Sequence, residues 1–360
     1  MKTNVHPSGM LPGAIPINLA LQGGGAHGAY TWGVVHELLK SKKFWISAIS
    51  GTSAGAMNAA MIVSGLAKHG TSGARETLES FWTDVGKINP FHVLPIEKAL
   101  YGWQREKSPI FQMQQTMAAM FSPYHINPCN YHPLREIIEK HVDFSALQSG
   151  TAPRLFIAAT DVESGDVKIF ENAEINIDVL LASACLPTLF QAVEIDGRFY
   201  YDGGYMGNPA LYPLYSSDTA LEYELPHDIV LIEINPLERK GVPKTIAEIH
   251  ARRDEINFNS ALRHELRAIA FVQKLTSKGE ARDKKHLRMH MVDVSNFLVD
   301  SGTASKMNTD PDFLEELRKA GQTQAKKWIQ FAGPSVGKRS TMDIHGKYLK
   351  KTKVKVQEAA

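Results

Sequence analysis

The sequence predicts an α/β fold, with a mostly parallel central sheet and helices on both faces. Three observations predict it. Short apolar stretches alternate with amphipathic ones through much of the chain. The first, INLAL at 17–21, is followed by a helical pattern over 28–40, by WISAIS at 45–50 and by a second helical pattern over 54–68, as a βαβ unit begins. DIVLIEI at 228–234 is apolar almost throughout, like a strand covered on both faces.

The remaining elements follow in order. RLFIAATDV and VKIF flank the turn Glu163-Ser164-Gly165-Asp166 and read as paired strands. VEI and RFYY flank Asp196-Gly197, a dipeptide suited to a tight hairpin. Between about 85 and 131 five prolines divide a segment rich in methionine and aromatics, which reads as an irregular insertion or cap. Over 244–277, Ile249, Ile256, Leu262, Leu266, Ile269 and Val272 recur at near-helical spacing, with Arg252, Arg253, Arg263 and Arg267 opposite. The expected organisation is an extension over 1–16, a core over 17–236, a helical part over 237–337 packed on the core, and a basic, mobile tail over 338–360.

At 360 residues and 43% hydrophobic content, the chain can bury a large core. Its net charge of +2 is nearly balanced and its basic residues are interspersed with acidic ones, which argues against a nucleic-acid partner. Two cysteines, Cys129 and Cys185, give neither a disulfide framework nor zinc-ligand spacing, so no metal is expected. The N-terminal stretch has prolines and glycines where an export signal needs an unbroken apolar run, and no run is long enough to span a bilayer. The expected location is cytoplasmic, with contact at a membrane surface left open.

Two glycine-bearing turns carry the chemistry. In LQGGGAHGAY, residues 21–30, Gly23, Gly25 and Gly28 fit the letters of a dinucleotide fingerprint. That site also needs an acid at the end of the second strand, and WISAISGTSAG has none. Gly51-Thr52-Ser53-Ala54-Gly55 instead matches Gly-x-Ser-x-Gly between a strand and a helix, the setting of a nucleophile elbow. An oxyanion hole would then come from the loop of Gly23, Gly24 and Gly25 with the amide of Ala54 at the helix start. A serine nucleophile needs a base. Downstream histidines are His227, His250, His264, His286 and His290, none in a distinguishing context; the other candidate is Asp202, on the Asp202-Gly203-Gly204 turn that ends the hairpin.

Together these blocks resemble the patatin-like phospholipases. The resemblance rests on GGGAHG, GTSAG, ASACLP at 182–187 and DGG, in that order, and it covers residues 17–236. It implies a modified α/β-hydrolase fold of three layers, a Ser53–Asp202 dyad and no cofactor, with His27, Gly28, Gly51, Gly55, Gly203 and Gly204 as supporting positions. One departure stands out: bacterial members usually carry Arg or Lys where this chain has His27. A titratable residue replacing a permanent charge would let His27→Arg retain activity with an altered pH dependence.

The activity implied is hydrolysis of fatty-acyl esters of lipids, of the phospholipase A or lysophospholipase type. Transfer of the acyl group to another alcohol, and non-catalytic lipid binding, are the alternatives. Ile110, Met113, Met117 and Met120 recur at helical spacing in the cap and are candidates for an acyl pocket. The arginines of the long helix and the basic tail are candidates for peripheral membrane contact. Some delivered bacterial toxins of the family require an activator protein, although nothing in these residues indicates one.

Overall fold

The computed structural model describes residues 12–88, 100–104, 108, 113, 121–216, 225–239, 241–278, 287–302 and 304–349. Its sheet contains β1 (Ile15–Leu21), β2 (Phe44–Gly51), β3 (Arg154–Asp161), β4 (Val167–Glu171), β5 (Val193–Ile195), β6 (Arg198–Asp202), β7 (Asp228–Ile232) and β8 (Arg288–Val292). They are ordered β5-β6-β3-β2-β1-β7-β8, with β4 also pairing β3. The contacts among β3, β2, β1, β7 and β8 are parallel, whereas β4, β5 and β6 join in antiparallel fashion.

The main helices are α1 (Gly28–Ser41), α2 (Ala54–Lys87), α3 (Leu134–His141), α4 (Ile177–Ser183), α5 (Ile246–Ser277) and α6 (Pro311–Phe331). Strand alternation separates the layers. Ile17, Leu19 and Leu21 of β1 and Val230 and Ile232 of β7 point into a core shared with α1, α2 and α6. Ala20, Ile229 and Leu231 point the other way, against Leu262, Leu266 and Ile269 of α5. The result is the expected three-layer α/β/α sandwich.

Several boundaries differ from the sequence reading. β1 starts two residues earlier, inside the expected extension. α2 does not stop at 68: after a break at His69 and Gly70, where Gly70 has φ 62°, it resumes to Lys87. The part after 237 is not wholly helical, because RMHMV forms β8; a short strand with Arg288 and His290 in it lacks an apolar run. On α5, Ile249 and Ile256 are exposed, and the buried face runs through Glu255, Phe258, Leu262 and Leu266. The start of the basic tail is packed rather than loose. Met342, Ile344 and Tyr348 are buried, and Lys347 pairs with Glu233 and Asp293, both at 2.7 Å. Most of the cap, including Ile110, Met117 and Met120, lies outside the described residues, while Met113 is 60% exposed.

Candidate active site

Ser53 follows β2 after one intervening residue, Thr52, and directly precedes α2. Its backbone angles, φ 55° and ψ −125°, are unusual for a residue with a side chain, and they are the strained turn a nucleophile elbow needs. The turn is held from outside: the Ser53 N–H donates to Ser183 Oγ at 3.0 Å. Close packing surrounds it. An added Cβ would lie 2.6 Å from Gly55 O at Gly51 and 2.2 Å from Leu21 O at Gly55.

The glycine loop follows β1, beside this elbow. A Cβ on Gly23 would stand 2.6 Å from Ser53 Cβ, so only glycine lets the loop approach the serine. The Gly23 N–H donates to Asn208 Oδ1 at 2.6 Å, and its carbonyl accepts from Asn235 Nδ2 at 2.7 Å. Gly23 therefore contributes position, and its amide is not available to an oxyanion as the sequence reading proposed. Gly25 has φ 57° and its Cα faces the carbonyl of Lys306. In the turn that opens here, His27 N–H returns to Gly24 O and Gly28 N–H to Gly25 O. The amides of Gly24 and Gly25 stand ahead of these returns, as Ala54 does at the start of α2; such leading amides lack acceptors within their own helix. Gly28 packs on Ala54 and Trp82, Gly203 on Ala158, and Gly204 beneath Phe258.

Asp202 ends β6 and is wholly buried. Its Oδ1 accepts the Gly204 N–H at 2.7 Å, and its own N–H donates to Cys185 O at 2.8 Å. Burial pushes its carboxyl up to about 7, against the opposing influence of the Gly204 amide, the Ser53 hydroxyl and the Lys306 charge. The Ser53 hydroxyl thus neighbours the carboxylate and favours its ionised form, while Oδ2 makes no hydrogen bond of ordinary geometry.

His27 is not the titratable neighbour anticipated. It is fully buried, and its Nε2 lies 2.7 Å from Ser305 Oγ, whose own proton goes to Gly302 O. Nε2 is therefore the protonated nitrogen, and burial, reinforced by Lys306 and Arg239, keeps the ring neutral well below its usual pKa. Of the other histidines, His250 and His264 are exposed, His290 is engaged with Asp228 and Thr341, and His286 is outside the described residues.

Sequence reasoning missed several supports. The ASACLP block supplies Ser183 Oγ to the Ser53 amide and Cys185 O to the Asp202 amide, so one turn holds both residues. Gln22 Oε1 accepts from the amides of Ile234 and Asn235 after β7, tying that loop to the glycine loop. A separate cleft of about 510 Å³, lined by Asp161, Lys168, Arg198 and Tyr200 among others, includes neither Ser53 nor Asp202. Among the described residues, no cluster of His, Cys, Asp and Glu could hold a metal, and no helix is long and apolar enough to cross a membrane.

No curated protein matches the chain. Among solved structures it is similar to VipD from Legionella pneumophila, at 15% identity and a TM-score of 0.37, over 87% of this chain and 68% of that one. It is also similar to ExoU in complex with SpcU from the type III secretion system of Pseudomonas aeruginosa, at 15% identity and a TM-score of 0.30. That match covers 89% of this chain and 53% of the other, so the chain spans about half of it. The family model for patatin-like phospholipase matches residues 19–215, from β1 through the glycine loop, the elbow and the Asp202 turn. With more than half its length matched, the chain belongs to the patatin-like phospholipases, a family of lipid acyl hydrolases.

Proposed function

We propose that the protein hydrolyses fatty-acyl esters of phospholipids or lysophospholipids by a Ser53–Asp202 dyad through an acyl-enzyme. The observation that carries this reading is the strained Ser53 turn beside a buried carboxyl whose pKa lies near neutrality. A base is most effective when its pKa is close to the working pH. Asp202 takes the hydroxyl proton as Ser53 Oγ attacks the ester carbonyl. The tetrahedral oxyanion is held by the amides of Gly24, Gly25 and Ala54, where one lost donor would cost about 100-fold or more in rate. Asp202 returns the proton to the departing alcohol, then takes one from the water that releases the fatty acid.

The test is turnover of a medium-chain p-nitrophenyl ester and of mixed phospholipid vesicles by wild type, Ser53→Ala and Asp202→Asn. Loss of turnover in both variants, with free fatty acid as the wild-type product, is the expected result. Turnover that survives in Ser53→Ala refutes the mechanism.

A further inference from the structure

His27, buried and neutral, supplies no positive charge to the site. We propose that Lys306, on the short helical turn Ala304–Met307, is the fixed cation of this catalytic centre, positioning the glycine loop through Asn235 and acting electrostatically on Asp202. The inference rests on the dyad reading above and deepens it.

The Lys306 ammonium donates to Asn235 Oδ1 at 2.7 Å, and Asn235 Nδ2 donates to Gly23 O at 2.7 Å. A two-step relay therefore joins the cation to the loop that abuts Ser53. The backbone of the same residue closes the loop from outside: a Cβ on Gly25 would lie 2.3 Å from Lys306 O. Cation and loop are fixed by one residue.

The neighbouring charges show why this cation acts on the dyad. Glu255, with a fully buried side chain, is already paired with Arg239 and Arg252, at 2.9 and 2.7 Å. Asp254 is paired with Arg253. Among the described residues, no carboxylate lies within ion-pair distance of Lys306 Nζ, and none of the cations does so for Asp202. Burial lowers the Lys306 pKa from its ordinary value, while Glu255, Asp254 and Asp202 oppose that shift and Arg239 adds to it. Among the described residues, the other titratable groups that feel Asp202 are Cys185 and Tyr205, both raised and so neutral near pH 7. Lys306 is then, among the described residues, the cation that favours the ionised form of Asp202.

The experiment compares kcat/KM against pH for wild type, Lys306→Met, Lys306→Gln and Lys306→Arg on the p-nitrophenyl ester, with thermal melts alongside. Lys306→Gln keeps a donor for Asn235 and discards the charge, which covers the case in which Lys306→Met fails to fold. Both neutral variants should move the acid limb upward by on the order of one pH unit, and Lys306→Arg should leave it near wild type. A merely structural role predicts changed melting with an unmoved limb. If the acid limb of Lys306→Gln coincides with that of wild type while turnover still needs Ser53, the proposal is overturned and the dyad stands. Absence of Ser53-dependent turnover in wild type overturns both.

Discussion

Replacing Asp202 by Asn should make the protein inactive and more stable at the same time. In the unfolded chain this carboxyl has its ordinary pKa of 3.8, and in the folded protein burial pushes it up to about 7. A raised native pKa means that folding takes up a proton between those values. The carboxyl's contribution to stability is therefore complete below its unfolded pKa and is lost as pH rises through 7. The difference is about 4 kcal/mol at pH 8 and about 2 kcal/mol at pH 5. For a chain of this length, 4 kcal/mol raises the melting temperature by on the order of 5 °C. Asn also keeps the shape of the side chain, and its Oδ1 can keep the Gly204 N–H. Differential scanning calorimetry of both proteins at pH 8 and pH 5 is the assay. Equal melting temperatures at pH 8, or a gain independent of pH, would refute the claim that a buried charge is the cause.

Four further outcomes follow from the same geometry. In wild type, kcat/KM should fall about tenfold per pH unit below 7, because the base must be ionised, and a limb near pH 4 would contradict the raised Asp202 pKa. Ser183→Ala should cost about 1–3 kcal/mol in chemical denaturation, because it leaves the buried Ser53 amide unpaired, and should lower kcat more than it changes KM. Gly23→Ala should abolish turnover, since the methyl group must displace Ser53; retention of half the rate would place the loop elsewhere. His27→Arg, expected from sequence to be tolerated, should instead lower stability by several kcal/mol in thermal or urea melts, because it buries a further cation beside Lys306 and Arg239.

What the sequence made legible was local. The elbow and the Asp196-Gly197 hairpin are written in neighbouring residues and lie where their patterns placed them, and the early alternation of strands and helices holds in order with its boundaries shifted. Long-range supports carry no such signature. Asn208 and Asn235 reach the glycine loop across separations of 185 and 212 residues, and an isolated Asn has no pattern that says which backbone group it will hold. His27 was misread for the same reason: its letter suggests titration, but its burial and the Ser305 hydroxyl, 278 residues away, decide its state. Lys306 was invisible because its partner is an amide oxygen rather than a nearby carboxylate. Strand β8 was missed because Arg288 and His290 break the apolar run, although both find Asp228 on β7.

The position of β1 inside the sheet has a consequence for dividing the chain. The matched family segment ends at residue 215, before β7, yet β1 pairs with β2 on one side and with β7 on the other. A fragment cut at that point would retain Ser53 and Asp202 but strip Asn18–Leu21 of their partners Ile229–Ile232. The strand carrying the glycine loop would become an edge, presenting unpaired amides and carbonyls to any other copy, an invitation to aggregate. The stretch that identifies the family is thus shorter than the unit that folds.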